Sequence, residues 1–180
     1  HLLEHLMFRG TEKVPGSEFN RLMQINGADS NAFTSLDYTA YHQSLDVSRL
    51  ELAMALEADR MANLDFSDEA FAAERDIVYQ ERKQVVENQP LSAFAESLQR
   101  GLWQTHPYAR PVTGTEEEIL SLTREDVMDI YRRYYVPNNA IIVISGDIEP
   151  PSISVPPLAS SQSLMVTLSI VTPFLLSFRL

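Results

Sequence analysis

His1, Glu4 and His5 stand together at the start of the chain, in the order His-x-x-Glu-His. On a helix, residues four apart lie one turn above each other on the same face, so both imidazoles can reach one cation. Glu4 would sit beside both, within reach of a water held at that cation. The order reverses that of the HExxH zinc motif. Zinc suits such a set because it accepts imidazole and carboxylate, and a catalytic site keeps one position open for water. Three fixed positions make a short pattern, and a helix that merely carries surface histidines would match it too.

Two imidazoles leave a zinc ion short of one protein ligand. The stretch opened by Asp68 carries Glu69, Glu74, Asp76, Glu81 and Glu87. At about 100° per residue, Glu74 and Glu81 fall within about 20° of one direction, two turns apart. One could bind the metal while the other holds its surroundings in place; a solvated acidic face would show the same spacing. The chain has no cysteine. That excludes thiolate ligands and disulfides, so any zinc must use histidine and carboxylate.

The apolar pattern predicts the elements that carry these side chains. Leu2, Leu3, Leu6, Met7 and Phe8 give a helix over residues 1–9 a broad apolar face, with Gly10 as its stop. A loop over 11–16 leads to a helix capped by Ser17, carrying Phe19, Leu22, Met23 and Ile25 and ended at Gly27. From Asn31 the period changes. β-Branched and aromatic residues, with turn formers at Ser35 and Asp37, predict a strand near 31–34 and a longer one near 38–44. His42 lies on the second strand and is expected to be a partly buried structural histidine.

Further on, Asp46 is expected to cap a helix reaching about Leu64, and Asp68 to open one through the mid-80s. Pro90 re-aims the chain before a helix from about Leu91 to Trp103, and 106–111 is irregular. Thr115 precedes Glu116, Glu117 and Glu118, an acidic first turn. Thr123 with Asp126 forms a capping box for a helix running to Tyr135. Pro137, Asn138 and Asn139 turn the chain into residues 140–145, a buried strand that stops at Gly146 and Asp147.

A length of 180 residues suits one domain with a real core, plus a tail. There are 14 basic residues against 25 acidic ones, a net charge of −11, which argues against a nucleic-acid partner. Residues 151–180 hold no acid and one basic residue, Arg179, which leaves 13 basic residues against 25 acidic ones in 1–150, a net of −12. That Ser-, Pro- and Leu-rich tail lacks a clear helical or strand period and is expected to pack poorly. Its apolar run from Leu164 to Leu176 is shorter than the roughly 20 residues a bilayer span needs, so no membrane span is expected.

Six blocks together resemble the amino-terminal catalytic domain of the M16 metallopeptidases, the pitrilysin, insulin-degrading enzyme and mitochondrial processing peptidase relatives. They are 1–11 (His1 to Thr11), 31–41 (Asn31-Ala32-Phe33-Thr34 to Tyr41), 56–61 (Leu56 to Met61), 74–81 (Glu74 to Glu81), 106–108 (His106-Pro107-Tyr108), and 135–139 with Gly146 and Asp147. The resemblance covers residues 1 to about 150, with 151–180 standing outside it as a non-family tail.

The resemblance implies an α+β fold: a mixed, largely antiparallel sheet with helices packed on one side. It implies a zinc endopeptidase that hydrolyses peptide bonds through a zinc-activated water, with one zinc per chain. His1, His5 and Glu81 match the zinc ligands, with 75 residues between His5 and Glu81. Glu4 matches the general base. Glu74 matches the second glutamate of the distal motif, which supports the site. Asn31, Ala32 and Phe33 match the edge strand that receives the peptide substrate.

The family's segment before the motif has no counterpart here, which would leave His1 at a frayed terminus where its α-amino group competes for metal. Any signal peptide would lie upstream of His1. The implied partners are a peptide or unfolded polypeptide substrate and a second M16-like domain or subunit that completes the chamber. The alternatives are a non-catalytic partner subunit of the same fold and a truncated inactive fragment. Family members occur in the periplasm, cytosol, mitochondria and plastids, and a bacterial member is expected in the periplasm or cytoplasm.

Overall fold

A computed structural model describes residues 1–148 and 165–173. Along the chain run α1 (Leu2–Leu6), α2 (Glu18–Ile25), β1 (Asp29–Thr34), β2 (Tyr38–Asp46), α3 (Leu50–Asn63), α4 (Asp68–Arg82), α5 (Pro90–Trp103), α6 (Glu116–Ser121), α7 (Arg124–Tyr134), β3 (Ile141–Ser145) and β4 (Met165–Pro173). The fold is α+β. The strands form one sheet in the order β1-β2-β4-β3, and all three pairings are antiparallel.

Alternation along β2 decides which face is covered. Thr39, Tyr41, Gln43 and Leu45 are at most 1 % exposed. Side chains two apart share a face, so this row is the one packed under the helices. Leu45 joins Phe19, Met23, Ala53 and Leu56 in a core between α2, β2 and α3. Tyr41 joins a second core with Leu2, Leu3, Leu6 and Met7 of α1 and its following turn, Phe71 and Val78 of α4, and Tyr131 of α7. The Tyr131 hydroxyl donates to the Met61 carbonyl at 2.8 Å and accepts from the Leu64 N–H at 3.1 Å, which ties α7 to the end of α3.

Capping explains most helix starts. Thr115 with Glu118 and Thr123 with Asp126 both form reciprocal capping boxes, opening α6 and α7. Asp46 accepts from the Ser48 N–H in a short 3-10 turn that leads into α3. α4 opens at Asp68 as expected, with Ser67 capping it by accepting from the Ala70 N–H. Pro90 occupies the first turn of α5, where its missing N–H costs nothing. Ser17 occupies the N-cap of α2 without a side-chain bond. After Arg82 the helix loosens into a π-turn over Lys83–Glu87.

Three expectations need correction. The first helix ends at Leu6, not Arg9. The chain must turn there so that Gly10 can bridge to Pro15 and Thr11 to Leu64. Gly10 has φ +108° and packs so tightly on the Val14–Gly16 backbone that a Cβ would lie 2.5 Å from the Gly16 nitrogen. Second, β3 is not buried: Ile141, Ile142 and Val143 are each at least half exposed. β3 is the sheet's last strand, and α3 lies over β2 and β4 instead. Third, part of the tail is ordered. Residues 165–173 form β4, paired on one side with β2 over Tyr38–Asp46 and on the other with β3. The rest of that tail, 151–164 and 174–180, lies outside the described residues.

Candidate metal centre

The five-residue α1 is held by burial of Leu2, Leu3 and Leu6, and Met7 behind them is 1 % exposed. With that apolar stripe fixed against the core, His1 and His5 face α4. Their rings meet edge to face, with centroids 4.7 Å apart. The His1 carbonyl accepts from the His5 N–H at 3.2 Å.

Helix α4 presents Glu74 and Glu81 to the same side. Glu81 Oε2 lies 3.6 Å from His5 Nε2 and 3.8 Å from His1 Nε2. These separations are long for hydrogen bonds. The ligand-type atoms of His1, His5 and Glu81 all lie within 4.8 Å of one another. Bonds of about 2.0–2.1 Å to a tetrahedral zinc would place neighbouring ligand atoms roughly 3.3 Å apart, so the donor set fits with small side-chain adjustments.

Glu74 does a different job. It is 2 % exposed, and its Oε2 lies 3.1 Å from His5 Nδ1. A carboxylate accepts only, so the His5 proton sits on Nδ1 and Nε2 turns its lone pair toward Glu81 and His1. The other Glu74 oxygen makes an ion pair with Arg9. Among the described residues, His1 Nδ1 is buried with no hydrogen-bond partner. The structure therefore separates the two carboxylates that their spacing left equivalent, Glu81 in the cluster and Glu74 behind it.

Glu4 stands outside the three-residue cluster. It is 8 % exposed, and its Oε2 accepts from the Thr34 hydroxyl at the end of β1. Asn31, Ala32 and Phe33 precede that threonine on the outermost strand of the sheet. The Ala32 N–H donates to the Asn31 side-chain oxygen at 2.9 Å. Phe33 is 45 % exposed, and its ring meets Tyr38 and His42 at centroid distances of 5.7 and 6.4 Å. His42 itself is half-buried beside Phe33.

Two contacts were not anticipated. Arg9, four residues beyond His5, pairs with Glu74, and Thr34 binds Glu4. Strand alternation signals the second: Thr34 must face the side opposite to Phe33.

Beneath the site lies a buried charged cluster. Arg60 is 2 % exposed, pairs with Glu57, and has its guanidinium 4.4–4.7 Å from the ring centroids of Phe8, Phe19 and Tyr41. Glu57 also accepts from the Gln43 amide at 2.5 Å. Arg60 thereby joins the segment after α1 to α2, α3 and β2.

Residues 1–116 match the profile of the insulinase family, peptidase family M16. "Zinc protease PqqE" of Helicobacter pylori is 31 % identical over 148 residues, covering 82 % of this chain and 33 % of the relative. A Schizosaccharomyces pombe protein named "Probable mitochondrial-processing peptidase subunit beta" is 32 % identical over 148 residues, covering 82 % of this chain and 32 % of its own length. Among solved structures, a protease from Helicobacter pylori superposes with a TM-score of 0.75 at 30 % identity, over 77 % of this chain and 34 % of that one. This chain thus spans about a third of the length of the curated relatives it matches. The matched residues include the whole cluster of His1, His5 and Glu81, and the chain belongs to the M16 zinc protease family.

Proposed function

We propose that the chain is the zinc-binding part of an endopeptidase, with one zinc held by His1, His5 and Glu81. The observation that carries this reading is the convergence of two imidazoles and one carboxylate within 4.8 Å. Zinc, when bound, lowers the pKa of a coordinated water toward about 7 and polarises a carbonyl. Glu4 is the general base: its carboxylate takes a proton from the attacking water and returns it to the leaving amine. Glu74 fixes the His5 ring through Nδ1. Asn31, Ala32 and Phe33 receive the peptide as an added strand, because an outer strand offers unpaired backbone groups to any polypeptide.

A second M16-like domain or subunit completes the chamber in this reading. Three features support it. The chain covers about a third of its relatives' length, and one relative is named as a beta subunit. Helix α5 also leaves Leu91, Phe94, Leu98 and Leu102 exposed along one stripe, an apolar surface suited to cover by another element. No helix among the described residues is long and apolar enough to cross a membrane.

The test is Glu4→Gln in the zinc-loaded protein. The variant should keep its zinc and lose peptide hydrolysis by orders of magnitude. Wild-type turnover in that variant would contradict the assignment.

A further inference from the structure

Glu4 carries a long side chain on a helix of only five residues, yet its carboxylate is held. The hydroxyl of Thr34 donates to Oε2. Thr34 has one proton to give, and an ionised carboxylate can only accept. Thr34 Oγ1 lies 3.1 Å from Thr39 Oγ1, so with its own proton committed to Glu4, Thr34 accepts from Thr39. The two threonines are direct partners in the β1–β2 ladder and share the helix-facing side of the sheet.

Behind them lie further buried hydroxyls. Tyr135, 4 % exposed, shares a hydrogen bond with Tyr41, whose hydroxyl lies 2.8 Å away. Thr39 is 1 % exposed and Thr172 fully buried. Thr172 Oγ1 donates to the Thr39 carbonyl at 3.3 Å. Thr39 is therefore held on the buried side of Thr34, where no water competes for its hydroxyl.

We infer that Thr34, backed by Thr39, is a positioning residue that fixes the Glu4 carboxylate relative to the peptide-receiving edge of β1. The inference rests on the reading of Glu4 as general base. Occupying Oε2 leaves Oε1 as the oxygen free to accept a proton. Thr34 follows Asn31, Ala32 and Phe33 without a break, so one rigid strand carries both the edge for the peptide and the anchor for the base. A peptide aligned on β1 is thereby aligned with Glu4 through about one residue of backbone, with no flexible link between them.

The experiment compares Thr34→Ser, Thr34→Val and Thr39→Val in the full-length, zinc-loaded protein. It measures kcat and KM on a peptide, zinc content, melting temperature, and, in a Glu4→Gln background, peptide affinity by fluorescence anisotropy. Thr34→Ser keeps the hydroxyl and should hold kcat within about threefold of wild type. Thr34→Val should lower kcat by about tenfold to a hundredfold, the scale on which a misplaced catalytic group acts. KM, zinc content and peptide affinity should stay within about twofold. Thr39→Val, which keeps Thr34 but removes its support, should lower kcat by a smaller factor, and it carries the test should Thr34→Val not fold. In the Glu4→Gln background Thr34→Val should cost nothing further in turnover. Wild-type kcat in Thr34→Val, a loss in KM or zinc content in place of kcat, or equal losses in the serine and valine variants would each overturn the inference. Full turnover in Glu4→Gln would instead overturn the assignment of the base, and the inference with it.

Discussion

The Glu74 carboxylate meets His5 Nδ1 at 3.1 Å while its second oxygen is taken by Arg9. One nearly buried carboxylate therefore fixes both the tautomer and the orientation of an imidazole whose other nitrogen faces Glu81 and His1. Partners of this kind tune a metal ligand without touching the metal. Glu74→Gln keeps the size of the side chain but removes its charge. Zinc affinity, read by competition with a chromophoric chelator, should fall by about tenfold to a hundredfold. An unchanged affinity would show that His5 is oriented by packing alone.

Arg60 makes a prediction about stability. Its guanidinium lies among three aromatic rings and pairs with the equally buried Glu57. Arg60→Ala strands Glu57 and opens space beneath Phe8, and should cost about 3–5 kcal/mol in chemical denaturation. Arg60→Lys retains charge but neither the flat stacking surface nor the fork, and should also destabilise. A lysine variant as stable as wild type would show that charge alone matters there.

Phe33 faces the opposite side from Thr34 and stands 45 % exposed beside the outer edge. Phe33→Ala removes apolar contact available to a peptide's side chains without disturbing the Thr34–Glu4 bond. In the proposed enzyme KM should rise severalfold with kcat nearly constant. A kcat loss at constant KM would place Phe33 in the wrong role.

Acid should loosen the α6–α7 region. Hydrogen bonds from the Thr115 backbone hold the Glu118 carboxyl below the usual carboxylate range, and the Thr123 side chain does the same for Asp126. With folded pKa values below the unfolded ones, the unfolded chain binds more protons as pH falls. This stabilisation is complete above the ordinary carboxylate range and is lost as pH drops below about 4. Urea midpoints taken from pH 7 downward should fall in that window, and less steeply in Thr123→Ala, which removes one box. Identical acid profiles for the two proteins would contradict the assignment.

Local chemistry was legible wherever it is complete within a few residues. The Thr123–Asp126 capping box, the acidic first turn after Thr115, Pro90 at a helix start, and the strand pair around Ser35 and Asp37 are of this kind. The early end of α1 was not, because the apolar pattern through Phe8 continues while the Gly10–Pro15 and Thr11–Leu64 bridges turn the chain away. β4 was hidden for a similar reason. It lies in a Ser-, Pro- and Leu-rich stretch without a clear strand period, and its partners lie far off in β2 and β3. The exposure of β3 follows from its place at the end of the sheet, which composition does not encode.

At the candidate site the spacing of His1 and His5 pointed to a shared cation from the outset. The choice between Glu74 and Glu81 could not be made from spacing, since both fall on one helix face. It needed the fold to bring α4 against α1, with Glu81 opposite the Nε2 atoms and Glu74 opposite Nδ1. Thr34 escaped notice because its partner lies 30 positions away in sequence.

Zinc stoichiometry decides whether the cluster on α1 and α4 is a metal site. Elemental analysis of the purified, folded protein and of Glu81→Gln would decide whether His1, His5 and Glu81 form one metal site. About one zinc per chain is expected in the wild type, and loss of that zinc in Glu81→Gln with the fold intact. A folded wild-type chain that takes up no zinc, or a Glu81→Gln variant that holds it as tightly as the wild type, would contradict it.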